Sequence, residues 1–87
     1  MPTIIAHHNV KDKNHWLASP KRKEFFGRLG VTNIRTFVDP QNSSRVAVLM
    51  DVPDLDAVMT ALQTQSAADA MAYDGVLPDT VVVLVEA

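Results

Sequence analysis

The chain has 87 residues, of which 47% are hydrophobic, and a formal net charge of -2 at pH 7. This length fits one domain, so residues 1–87 are expected to fold together, and the composition is that of a globular rather than a disordered protein. The sequence contains no cysteine, which excludes disulfide bonds, thiolate metal sites and a cysteine nucleophile.

The first half of the chain predicts a strand, a broken helix and a second strand. Residues 3–10 are short and rich in β-branched side chains, as strands are. Asp12 offers a helix N-cap, but Pro20 cannot lie inside a continuous helix without a cost of about 3 kcal/mol. We therefore predict a break at Ser19, with a second helical piece from Pro20 that ends at Gly27 or Gly30.

The second half predicts a hairpin, a helix in two pieces and a last strand. Residues 31–38 and 45–52 are the predicted hairpin strands, and residues 39–44 are their turn. Asp54 can cap a helix that buries a stripe of four apolar side chains, namely Leu55, Val58, Met59 and Leu62. Ser66 and Asp69 resemble a capping box for a continuation that ends at Asp74 and Gly75.

The order β, α, β, β, α, β is that of the ferredoxin-like, or split βαβ, fold. It predicts an α+β protein with a four-stranded antiparallel sheet in the order 4-1-3-2. Both helical segments are then expected on one face of the sheet.

The other sheet face has no cover from its own chain. The last strand contains VVVLV (81–85) and the third contains VAVLM (46–50), and both lack the polar alternation of a sheet with one face in water. A second copy packing sheet to sheet would cover this face, so we predict a homodimer that forms an α/β barrel.

Several motifs resemble small members of the dimeric α/β-barrel superfamily. They are HNV at 8–10 followed by Asp12 and Trp16, RTFVDP at 35–40, DVPDLDAV at 51–58, and a late segment with Ser66, Ala70, Met71, Asp74, Gly75 and Val76. The superfamily includes antibiotic biosynthesis monooxygenases, muconolactone isomerases and polyketide cyclases. The resemblance implies a ligand pocket between the helices and the sheet.

Two adjacent histidines lie on the first predicted strand. Because neighbouring strand residues face opposite sides, His7 and His8 cannot easily bind one metal ion, and an iron site that includes Asp12 fails for the same reason. We expect His8 under the helices, as a general acid/base or ligand-binding group, and His7 in the dimer barrel. The alternative is that each imidazole is structural and satisfied by neighbouring groups.

Other side chains are candidates for the same site. Arg35 is expected to stabilise an oxyanion, although it can equally pair with an acid across the dimer. The candidate walls of the substrate pocket are Trp16, Phe26, Phe37, Met59 and Tyr73, and plain packing is the alternative for each. Lys21, Arg22, Lys23 and Arg28 are interpreted as a solvated surface.

The sequence therefore predicts a dimer that binds a small apolar or aromatic molecule. A cofactor-independent monooxygenase, cyclase or isomerase for an aromatic or polyketide-like substrate is the leading hypothesis; a non-catalytic structural or metabolite-binding dimer is the alternative, and a member without any pocket is a third possibility. No nucleotide, flavin or metal fingerprint is present. We expect no cofactor, no nucleic-acid partner and no membrane contact, and a cytoplasmic location, because there is neither a signal peptide nor a membrane span.

Overall fold

The computed structural model describes residues 2–87, and its elements follow the predicted order. The sheet strands are β1 (Thr3–Asn9), β2 (Thr32–Asp39), β3 (Asn42–Asp51) and β4 (Val82–Val85). The helices are α1 (Lys13–Ala18), α2 (Lys21–Gly27), α3 (Leu55–Ala61) and α4 (Gln65–Asp74), and a 3-10 turn at Pro78–Thr80 leads into β4.

The four strands form one antiparallel sheet in the order β2-β3-β1-β4. Strands β1 and β3 occupy its centre, and the short β4 lies at one edge, which confirms the predicted 4-1-3-2 arrangement. In the central pair, Ile4 lies opposite Met50 and His8 lies opposite Val46. Since directly opposite residues share a face, this register places His8 on the same side as the core residues Met50 and Val46.

The break between α1 and α2 falls where the proline predicted it. The Asp12 carboxylate accepts hydrogen bonds from the backbone N–H groups of Asn14 and His15, so it caps α1. Ser19 has an extended backbone, and its hydroxyl accepts from the N–H of Lys21 at the start of α2. The helical backbone is therefore interrupted at Ser19 and starts again at Lys21.

The second helical segment is also broken, but its cap differs from the prediction. Asp54 caps α3, as expected, by accepting from the N–H of Ala57. Thr64, not Ser66, caps α4, because Thr64 has the extended backbone of a cap residue while Ser66 is already helical. Gly75 then ends α4 with a φ of 73°, a left-handed conformation that glycine adopts at little cost.

The hairpin turn is shorter than predicted. Strand β2 continues to Asp39 and β3 begins at Asn42, so Pro40 and Gln41 alone connect them. The Asp39 carboxylate accepts from the N–H of Gln41 and stabilises this tight turn. The polar residues that indicated a longer loop lie instead at exposed positions of the strands, where their side chains remain hydrated.

The core lies between the helices and one sheet face. Two groups of buried residues form it: Ile4, Val31, Val48, Met50, Val52 and Val58 in one, and Val10, Trp16, Val46 and Val76 in the other. Every helix contributes to this layer, through Trp16 of α1, Phe26 of α2, Val58 of α3 and Met71 of α4. All four helices thus cover the same face.

The opposite sheet face, called the open face below, carries two rows of side chains across all four strands. The strand register aligns Arg35, Leu49, Ile5 and Leu84 in one row, and Phe37, Ala47, His7 and Val82 in the next. Leu84 is 52% exposed and Val82 is 42% exposed. Most of this face is apolar and has no cover among residues 2–87, as the unbroken apolar run in the last strand predicted.

Candidate functional site

A cavity of about 90 Å³ lies between the helices and the sheet, at the meeting point of the two core groups. The sheet side includes Ile4, His8, Val48 and Met50, and the helix side includes Trp16, Arg22, Phe26, Met71 and Asp74. Its wall is almost wholly apolar apart from the side chains of His8, Arg22 and Asp74, with Lys21 at the margin. The polar chemistry of this cavity therefore rests on a few groups.

His8 is buried in this cavity with both ring nitrogens unpartnered. Its side of β1 is covered by the helices, the residue is 7% exposed, and neither Nδ1 nor Nε2 has a hydrogen-bond partner among residues 2–87. Its ring meets Trp16 edge to face, with centroids 5.6 Å apart. Burial lowers the pKa of His8 below its ordinary value, and the nearby Arg22 charge lowers it further. At neutral pH His8 is thus a neutral imidazole with one free donor and one free acceptor.

Arg22 lies over Trp16 at the side of the same cavity. Its guanidinium carbon is 4.0 Å from the indole centroid, and Nη1 donates to the Trp16 backbone carbonyl at 2.9 Å. The break at Ser19 makes this possible, since it brings the start of α2 back over the end of α1. Stacking on an aromatic face holds the guanidinium in place.

Asp74 is the counter-ion of Arg22. Its Oδ2 is 3.7 Å from Arg22 Nη1, and the two side chains are only 5% and 12% exposed. Its Oδ1 is buried and has no hydrogen-bond partner within the described residues. Burial lowers the pKa of Arg22, while the Asp74 charge opposes that shift. Arg22 still remains a cation, because a guanidinium does not lose its proton in proteins.

The structure brings three of the predicted residues together and separates the others. His8, Trp16 and Phe26 line the cavity. Arg35 and Phe37 lie on the open face, in register with Leu49 and Ala47, and so point away from His8 through the sheet. The prediction that they share the site of His8 is therefore wrong. Strand alternation and the register of β2 against β3 put both side chains on the open face of the sheet.

Met59 and Tyr73 also lie outside the cavity. Met59 is 38% exposed on α3. Of the apolar stripe predicted for this helix, only Val58 is fully buried. Tyr73 is 53% exposed at the end of α4, where its ring lies beneath the Lys21 amino group and beside the His15 ring. Neither residue contacts the space in front of His8.

Two functional candidates were missed by the sequence analysis. Arg22 was interpreted as solvated surface with its basic neighbours, and Asp74 only as a helix stop. Arg22 follows Trp16 by six residues, with the predicted break between them. This spacing predicts a contact between the two side chains only when the angle between the helices is known. Asp74 carried no local signal for burial.

A surface groove lies directly outside the cavity, between α2 and α4. Its volume is about 530 Å³, and three of its residues, Lys21, Phe25 and Ala70, also line the cavity. Phe25 contacts Phe26 edge to face, with centroids 5.1 Å apart. These shared side chains form the wall between the cavity and the groove.

Among residues 2–87, no group of three or more His, Asp or Glu side chains is placed to hold a metal ion. Within the same residues, no helix is long and apolar enough to cross a membrane.

Comparison with known proteins identifies the fold. No family model matches the sequence, and no curated protein matches it significantly. A Bordetella bronchiseptica protein proposed to be an antibiotic biosynthesis monooxygenase superposes with a TM-score of 0.74 at 16% identity, over 99% of this chain and 94% of that one. SnoaB, a cofactor-independent oxygenase from Streptomyces nogalater, gives a TM-score of 0.65 at 15% identity, over 98% and 87%.

A third structure of similar fold belongs to a family with another name. It is a protein of the ethyl tert-butyl ether D family from Bacillus halodurans, with a TM-score of 0.60 at 14% identity, over 100% of this chain and 98% of that one. Identities this low establish the fold alone. The chain thus has the ferredoxin-like fold of the antibiotic biosynthesis monooxygenase-like structures, which confirms the fold that the sequence resemblance implied.

Proposed function

We propose that the cavity binds a small planar aromatic molecule and that His8 acts on it as a general base in a cofactor-independent oxygenation. The observation that carries this proposal is the state of His8: a neutral imidazole, buried in an apolar cavity, with both nitrogens unpartnered. Leaving buried polar groups unpaired costs about 1–3 kcal/mol each. Such a cost is typical of functional sites, where a ligand supplies the partners.

The cavity volume restricts the ligand. Small-molecule sites usually enclose about 300–1,000 Å³, whereas this cavity measures about 90 Å³. An engineered apolar cavity that binds benzene measures about 150 Å³, so we expect this smaller one to widen when it admits a single ring. Movement of Phe25 would join it to the groove outside. We therefore favour a single-ring substrate over a fused polyketide.

The proposed reaction converts a phenol and O2 into a quinone and water. His8 accepts the phenolic proton, and Arg22 stabilises the phenolate oxygen, a role that the sequence analysis assigned to Arg35. The electron-rich ring carbon forms a bond to O2, and the resulting hydroperoxide loses water to leave a new carbonyl. One oxygen atom ends in the quinone and the other in water, and the substrate supplies all the electrons.

The comparisons support this chemistry only indirectly. One structure of similar fold is described as a cofactor-independent oxygenase. The alternative function is a non-catalytic structural or metabolite-binding dimer with structural histidines, and the small cavity volume favours its structural form. Catalysis and binding therefore need separate measurements.

We also propose that two copies pack through the open face. The two rows of side chains defined above extend across all four strands and are mostly apolar, so pairing them would remove a large apolar surface from water. A symmetric dimer uses one patch twice, which suits a single sheet face.

Oxygen uptake with single-ring phenols and quinols tests the catalytic proposal. We expect substrate-dependent O2 consumption and quinone formation above the uncatalysed rate, with a loss of at least about 100-fold in His8→Gln. His15→Gln is the matched control, because His15 is exposed on α1 and lies outside both the cavity and the open face. An unchanged rate in His8→Gln removes His8 from the mechanism, and binding without turnover supports the metabolite-binding alternative.

A further inference from the structure

We infer that Asp74 makes the cavity selective for an uncharged ligand with two hydroxyl groups, such as a catechol, and against carboxylates. The inference rests on the proposed binding function, which does not specify whether a charged ligand is accepted or how many hydroxyl groups the ligand carries. Two observations support it. The charged groups in the cavity are already paired with each other, and three polar atoms have no hydrogen-bond partner.

The buried charges are already balanced. Asp74 Oδ2 is 3.7 Å from Arg22 Nη1, both side chains are almost fully buried, and His8 is neutral. The cluster of Arg22, Asp74 and His8 therefore carries no net charge. A carboxylate bound beside it would add one buried negative charge without a counter-ion, and burying such a charge is strongly unfavourable.

Lys21 does not change this balance. Its amino group lies 3.9 Å from Glu24, and both side chains are substantially exposed, at 40% and 52%. A charge in that position is screened by water and is already paired. It offers little stabilisation to an anion held at His8.

The unpartnered atoms indicate hydroxyl groups. Two of them are acceptors, namely Asp74 Oδ1 and the unprotonated nitrogen of His8, and one is the N–H donor of His8. A carboxylate only accepts hydrogen bonds, so it leaves both protein acceptors unmatched. A catechol has two O–H donors for the two acceptors, and its oxygens can accept from His8 and Arg22.

A fluorescence titration tests this selectivity directly. Trp16 is the only tryptophan of the chain and lines the cavity, so its emission reports occupancy. With catechol, phenol and benzoate as probes, under argon at neutral pH, we expect the affinity to fall in that order. Benzoate should bind at least about tenfold more weakly than catechol.

The variant Asp74→Asn should reverse the preference. The amide is nearly isosteric, but it leaves the Arg22 charge unpaired, so the cavity gains a net positive charge and benzoate should become the tighter ligand. Asp69→Asn is the matched control, since Asp69 lies on the same helix but is exposed and bonded to Gln65. That variant should keep the wild-type order.

The outcomes separate this inference from the proposed function. Wild-type protein that binds benzoate as tightly as catechol overturns the selectivity but leaves the cavity a ligand site. The same holds if a folded Asp74→Asn variant keeps the wild-type order. If no probe binds either protein, the proposed function falls together with the inference. The comparison in wild-type protein decides the matter even if the variant does not fold.

Discussion

Replacing Leu84 with glutamate should separate the proposed dimer into monomers. Leu84 lies in the first row of the open face, opposite Ile5, and is 52% exposed in the single chain. In a symmetric dimer each substitution is present twice, and it places two carboxylates in an apolar interface. We expect the dissociation constant to rise by at least about 100-fold.

Sedimentation equilibrium at several protein concentrations measures this change. Wild-type protein should sediment at twice the chain mass of 9.5 kDa, and Leu84→Glu at the chain mass. Leu17→Glu is a matched control, because Leu17 is an exposed leucine on α1, away from the open face. A wild-type monomer at micromolar concentration, or a Leu17→Glu variant that dissociates equally, contradicts the proposed interface.

Replacing His8 with leucine should stabilise the protein and abolish ligand binding. The two side chains are similar in size, but leucine leaves no unpartnered nitrogen in an apolar cavity. Exchanging an unsatisfied buried polar group for an apolar one of the same shape should raise the free energy of unfolding by about 1 kcal/mol or more. Urea denaturation at a fixed protein concentration measures it.

The control for this prediction is His8→Asn. Asparagine also removes the imidazole, and therefore binding and catalysis, but it keeps polar atoms in the cavity and leaves more empty space. It should destabilise the protein. If leucine and asparagine destabilise equally, the nitrogens of His8 have partners in solution, such as ordered water, and His8 is a structural residue.

The leucine variant should also lose part of the acid sensitivity of wild-type protein. Burial lowers the pKa of His8 below its ordinary value of 6.5, so below that value the unfolded chain binds a proton that the folded chain does not. The free energy of unfolding then decreases as the pH falls from 6.5 toward the lower pKa of the folded state. Melting temperatures measured over this window should fall less in His8→Leu than in wild-type protein.

Local signals predicted most of the fold. Pro20 placed the break between α1 and α2, Asp12 and Asp54 placed the helix starts, and Gly75 placed the end of α4. Each of these acts within a few residues through backbone geometry, so it can be read without knowing the fold. The apolar run in the last strand likewise predicted a sheet face without cover.

The site depended on contacts that are distant in sequence. His8 could be placed because strand alternation and a central position follow from the topology. Arg22 and Asp74 pair across two helices, α2 and α4, that are far apart in the sequence, and no short-range pattern distinguishes this arginine from its exposed neighbours. Arg35 was assigned to the site by its chemistry, whereas the register of an edge strand decided its face.

The state of the His8 ring tests the whole account most directly. In protein labelled with nitrogen-15 at its three histidines, the ring nitrogens of His8 should show a neutral imidazole at pH 7 and a pKa below the ordinary value of 6.5. Adding catechol under argon should shift the His8 signals and leave those of His15, which lies at the surface, unchanged. A His8 ring whose pKa lies at or above 6.5, and whose signals do not change when catechol is added, would contradict a ligand site at this cavity.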